Sequence, residues 1–136
     1  MQAILLSGTL PHPLNFTAGW GLIVVSFVVG AVLGLGFHRD DFLGGYSSFR
    51  RRLLRLGHIA LVALGMLNII YGLSPIPAAA DHLAAWPGRC LLAGAIAMPT
   101  VCFLSAWKRS ARHLFFIPVT LLLTAALLMF YFGVRQ

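Results

Sequence analysis

The chain has 136 residues, 60% of them hydrophobic and only 10% charged, and its mean hydropathy is +0.90. Soluble domains are about one-quarter charged, so a water-soluble globule is excluded and a bilayer is the medium that accommodates so much apolar surface. The net charge of +7 does not point to nucleic acid: Arg39, Arg50, Arg51, Arg52 and Arg55 fall in one inter-run segment and Lys108, Arg109 and Arg112 in another, the distribution of a topology signal and of contact with anionic lipid.

Residues 1–11 have no positive n-region and only a short apolar stretch, which argues against a cleavable signal peptide. Pro11-His12-Pro13 cannot sit inside a helix, and Asn15 or Thr17 is the expected cap of the helix that follows. The first span is expected at about residues 18–37, twenty residues without a charge, long enough to cross a hydrocarbon core of roughly 30 Å. Trp20 stands near its outer end, where an interfacial aromatic belongs. Gly30 and Gly34 form a GxxxG pair that admits close helix approach, either to a partner chain or, as the plainer reading, within the bundle.

Residues 38–56 form the basic loop. Gly44-Gly45 signals a turn, and Ser47 or Ser48 is the expected cap of a short amphipathic helix on the membrane surface, with Phe49, Leu53 and Leu56 on one face, running into the second span. Asp40 and Asp41 are expected to pair with the arginines that follow. The second span, about residues 57–73, contains Asn68. An amide in hydrocarbon needs a partner, so it should face the bundle and act as interhelical glue. The third span, about residues 88–107, carries Pro99 in its interior, where a kink or a freed carbonyl is expected. The fourth, about residues 114–134, tolerates Pro118 in its first turns. Outside the basic segments only Arg89 and Arg135 are cationic, so the positive-inside rule places residues 38–56 and 108–113 in the cytoplasm and both termini outside. The expected fold is all-α: one integral membrane domain over residues 1–136, an antiparallel four-helix transmembrane bundle.

Few residues here suit chemistry. There is no HExxH, GxSxG or P-loop, and no CxxC, CxxCH or zinc spacing around Cys90 and Cys102. No catalytic and no metal-ligating residue is therefore assigned, and a catalytic activity of its own is the lesser expectation. Asp81 and His82, with His12, would hold a metal only in a loop conformation. Three acids supply no intramembrane carboxylate for a proton relay. His58 and His113, with His38 nearby, stand at the basic side. Two imidazoles from different helices there would ligate a haem b axially, with neighbouring arginines meeting its propionates. The alternative is that these are polar boundary residues.

The segment from Gly36 to Gly65, with Phe37-His38-Arg39-Asp40-Asp41, Gly44-Gly45-Tyr46, Arg50-Arg51-Arg52 and Arg55-Leu56-Gly57-His58, together with His113-Leu114-Phe115-Phe116-Ile117-Pro118, resembles small bacterial four-span membrane proteins. The resemblance implies the four-span fold and carries no activity. In size and layout there is a looser similarity to small four-helix proteins that assist assembly of haem-copper oxidases.

Three functions follow as expectations. The first is an accessory or structural subunit of a bacterial cytoplasmic-membrane complex engaged in electron transfer, with Arg50, Arg51, Arg52, Arg55, Gly30 and Gly34 contacting partner subunits or lipid. The second is a b-type haem protein on His58 and His113. The third is a lipid-interacting membrane protein without redox chemistry.

Overall fold

The computed structural model describes residues 10–75 and 85–134. Four long helices follow one another: α1 (Pro13–Phe37), α2 (Phe49–Gly72), α3 (Trp86–Trp107) and α4 (Phe116–Val134), the last preceded by a 3-10 segment, Arg109–Phe115. All four, taking α4 with that segment, are long and apolar enough to cross a membrane, and no strand occurs among the described residues.

Consecutive helices run antiparallel. Phe16 meets Gly72, Gly19 meets Gly65 and Gly30 meets His58 along the α1–α2 seam. Gly88 lies against Tyr71 at one end of the α2–α3 seam, and Gly57 against Cys102 and Phe103 at the other. Gly94 of α3 sits under Leu122 of α4. Each helix thus packs on its predecessor, while α1 touches α3 only slightly. This succession leaves α2 and α3 as the inner pair and α1 and α4 as the outer helices. The sequence shows the same division, for α1 and α4 are apolar on all sides, as a lipid-bathed helix is.

The helix ends differ from the sequence expectation in three ways. First, α1 begins at Pro13, with His12 at its N-cap position. A proline at N1 lacks only an N–H that would have no partner in any case, so neither Asn15 nor Thr17 caps. Thr17 instead donates to the carbonyl of Pro13 (2.9 Å). Second, the helix capped by Ser48, whose Oγ accepts from the backbone N–H of Arg51 (3.2 Å), runs into the second span as expected, but as one helix from Phe49 to Gly72 and with a different packed face. The packed residues of its first turns are Arg51, Leu53 and Leu54, while Phe49 and Leu56 stay exposed. Third, Asp40 and Asp41 do not pair with the α2 arginines. Asp41 lies 3.7 Å from Arg39, both side chains in solvent, where such a pair adds little.

The α1–α2 connection turns through Leu43, Gly44 and Gly45, all with positive φ (55°, 89° and 86°). Glycine adopts this region freely; Leu43 does so while packed against the cluster of Leu53, Leu54 and Ala106. Pro99 is buried within a continuous α3, and Thr100 next to it donates to the carbonyl of Ile96 (2.7 Å).

Candidate functional site

Polar side chains inside an apolar bundle mark either glue or chemistry; two hydrogen-bonded groups occur, besides the Ser105 and Tyr71 hydroxyls, which are buried without a partner among the described residues. The larger group joins three helices at the end of the bundle where α1 begins and α2 ends. Asn15 uses both amide protons, one to Asn68 Oδ1 (2.8 Å) and one to the carbonyl of Gly88 (2.9 Å). Asn68 donates in turn to the carbonyl of Leu64 (2.8 Å). Asn68 is fully buried and Asn15 nearly so. Both Asn15 amide protons and one of Asn68 have acceptors, so the group holds helices together. Asn68 faces the bundle as its position in the second span required. Its partner was masked by the capping residue type of Asn15.

The second group is Ser26 with His58. Ser26 Oγ donates to the carbonyl of His58 (3.2 Å) and lies 3.1 Å from Nδ1 of the same residue. Ser26 thus ties both the backbone and the ring of His58 to α1, the donor in the Oγ–Nδ1 contact being set by the imidazole tautomer. The imidazole rests against α1 where Gly30 lacks a side chain: a Cβ there would lie 2.8 Å from His58 Cε1. Gly30 thus packs within the chain. Gly34, its GxxxG mate, has nothing within 4 Å of a Cβ position and looks outward.

The structure does not bring His38, His58 and His113 together. His58 faces α1, whereas His113 is exposed on the 3-10 segment, which packs against α3 and α4. His38 is exposed at the C-cap of α1. A haem clasped by His58 and His113 therefore has no shared cavity to fill, and the residues do not fit that group. No set of three His, Cys, Asp or Glu side chains converges among the described residues. Asp81 and His82 lie outside the described residues.

The four arginines singled out from the basic loop divide sharply. Arg51 is buried; it donates to the carbonyls of Asp40 (3.1 Å) and Phe37 (3.4 Å), and its guanidinium stacks over the Phe37 ring at 4.6 Å. It pins the turn to α1, as a planar donor fork can. Arg55 donates to the carbonyl of Tyr46 (3.4 Å) and covers its ring at 4.6 Å. Arg50 and Arg52 are exposed.

An apolar groove of about 540 Å³ opens between α2, α3 and α4, lined by Leu67, Tyr71, Leu91, Leu122 and Met129 among others. Its walls offer space for hydrocarbon and almost no polar surface. Sequence reasoning missed a tight backbone seam, Gly19 against Gly65, where a Cβ on Gly19 would lie 2.6 Å from the Gly65 carbonyl oxygen. The signal available was the seven-residue spacing of Gly65 and Gly72, two turns on one face of α2. No family model matches the chain, nor does any curated protein or solved structure.

Proposed function

We infer that this chain is a non-catalytic accessory subunit that joins other membrane-embedded helices through its outer helices α1 and α4. The observation that carries this reading is where the unused glycines stand. Gly21 and Gly34 on α1 and Gly133 on α4 are exposed with open space around them. A lipid-facing helix gains nothing from glycine, which is about 1 kcal/mol worse than alanine in a helix interior, whereas an approaching helix gains close backbone contact. Most inward polar groups support the same reading, since Asn15, Asn68, Ser26 and Arg51 are bonded within the chain, the Ser105 and Tyr71 hydroxyls being the exceptions among the described residues. The positive-inside rule supports an orientation with the α1–α2 and α3–α4 connections on the cytoplasmic side of a bacterial inner membrane and both termini outside.

The test is native electrophoresis and cross-linking of tagged protein extracted from its own membranes in mild detergent. Wild type is expected in an assembly containing other subunits, and a Gly21→Leu/Gly34→Leu variant is expected to leave it while keeping its helicity. Extraction of wild type as a lone 14.7 kDa chain, with no cross-linked neighbour, would overturn the reading. A reduced-minus-oxidised visible spectrum on the same preparation tells whether the assembly carries haem, and loss of that signal in His58→Ala would return this residue to a ligand role.

A further inference from the structure

The basic end contains a cleft that the division of the arginines leaves unexplained. It measures about 370 Å³, lies between the start of α2 and the end of α3, and includes Ser48, Phe49, Arg50, Trp107 and Arg109 in its lining. A smaller cleft of about 220 Å³ lined by Phe49, Arg109 and Arg112 adjoins it through two shared residues. Arg50, Arg109 and Arg112 are exposed and, unlike Arg51 and Arg55, have no hydrogen bond or ion pair among the described residues. No carboxylate lines either cleft. Three cations from two chain segments thus converge on a space with nothing to neutralise them.

The same cleft shares Trp107 with an apolar groove of about 260 Å³ that runs along α1, α2 and α3 past Val32, Leu54 and Phe103 and exposes no polar surface. Trp107 is 70% exposed, in the position of an interfacial ring that separates head-group depth from hydrocarbon. Cationic space on one side of this indole and hydrocarbon space on the other match the two halves of one amphiphile.

We propose that Arg50, Arg109 and Arg112, with Phe49 and Trp107, form a binding site for an anionic phospholipid of the surrounding leaflet. The phosphate accepts hydrogen bonds from the guanidinium groups, which recognise phosphate oxygens through paired N–H donors. One acyl chain follows Trp107 into the Val32–Leu54–Phe103 groove. An acidic segment of a partner protein would satisfy the cations but would leave the groove at hydrocarbon depth unused, so the lipid is the better occupant. The site is independent of the subunit role inferred above.

The experiment is native mass spectrometry of the full chain in mild detergent, titrated with palmitoyl-oleoyl phosphatidylglycerol or with the phosphatidylcholine of the same chains. Wild type is expected to retain one phosphatidylglycerol per chain in preference to phosphatidylcholine. Each arginine near a charged surface is worth roughly fivefold in affinity, so Arg50→Gln/Arg109→Gln/Arg112→Gln is expected to lose on the order of a hundredfold. Arg52→Gln, an exposed charge outside the cleft, should change affinity by less than about twofold. All these side chains are exposed, and circular dichroism of each variant should match wild type. Equal retention of the two lipids by wild type would overturn the site. So would an equal loss in Arg52→Gln, which would make the attraction diffuse, or displacement of the lipid by equimolar glycerol phosphate, which would make the groove irrelevant. Unchanged lipid selectivity in the triple variant, with loss of a co-purifying acidic protein, would hand the cleft to that partner.

Discussion

The two ends of the bundle treat polar groups in opposite ways. At the end where α1 begins, Asn15 and Asn68 are buried and bonded to each other and to the carbonyls of Gly88 and Leu64. Of the arginines at the basic end, Arg51 and Arg55 are bonded inward, and Arg50, Arg109 and Arg112 are left turned to the surroundings. A polar group inside hydrocarbon must find its partner within the protein or lose its solvation, whereas a cation at head-group depth can take its partner from the membrane. One end is therefore closed chemistry that holds the fold. The other is open chemistry that binds.

Substitutions can break that contrast, and the largest effect belongs at the tight α1–α2 seam. Gly19→Leu drives a side chain into the Gly65 backbone, and overpacking of this kind is expected to cost about 3 kcal/mol. Steric-trap or detergent unfolding of the purified protein measures it. Asn68→Leu comes next, at about 2 kcal/mol, because it orphans one proton of the Asn15 amide; a double-mutant cycle with Asn15→Leu should recover roughly 0.6–1.7 kcal/mol as coupling. Arg51→Gln is expected to cost about 1–2 kcal/mol through two lost carbonyl bonds, seen in the same assay. The smallest effects sharpen the comparison: Arg50→Gln should stay within about 0.5 kcal/mol, and Gly34→Ala should be neutral or stabilising by up to about 1 kcal/mol in the isolated chain. If Arg50→Gln destabilised the protein as much as Asn68→Leu does, the two ends would not differ in kind.

How much of this was legible beforehand depended on whether a feature is local. Four apolar runs of spanning length, and the inward turn of Asn68, follow from the bilayer acting on one segment at a time. Pro13 could have been read as the first residue of α1, but Pro11 and Asn15 beside it gave a competing start. Which neighbour a glycine meets is a tertiary fact. In α1, apolar on every side, no amphipathic pattern tells the face that meets Gly65 from the face that meets lipid. The choice of Gly30 and Gly34 over Gly19 came from spacing alone, and only Gly30 lies against the neighbouring helix. Arg50, Arg51 and Arg52 are successive residues at 100° intervals around a helix, so the run had to contain different fates. The sequence does not say which arginine points inward, because that depends on where the Leu43 turn folds back. The Asp40 and Asp41 pairing failed for a related reason: the backbone carbonyls at the end of α1 reach Arg51 before any carboxylate does.

Packing each helix on the one before it also sets an order of assembly. A helix leaving the translocation machinery finds its main docking surface already made, and no helix has to wait for a distant segment, the circumstance in which chains form quickly and avoid misassembly. The exception is the buried amide pair. Asn15 and Asn68 can meet as soon as the first hairpin is inserted, but the second proton of Asn15 has its acceptor on Gly88, at the start of the third helix. Until that residue arrives, the newborn hairpin carries an unmet donor in oil, and the third helix is drawn to it. The lock on the finished protein is in this way a lure during its synthesis.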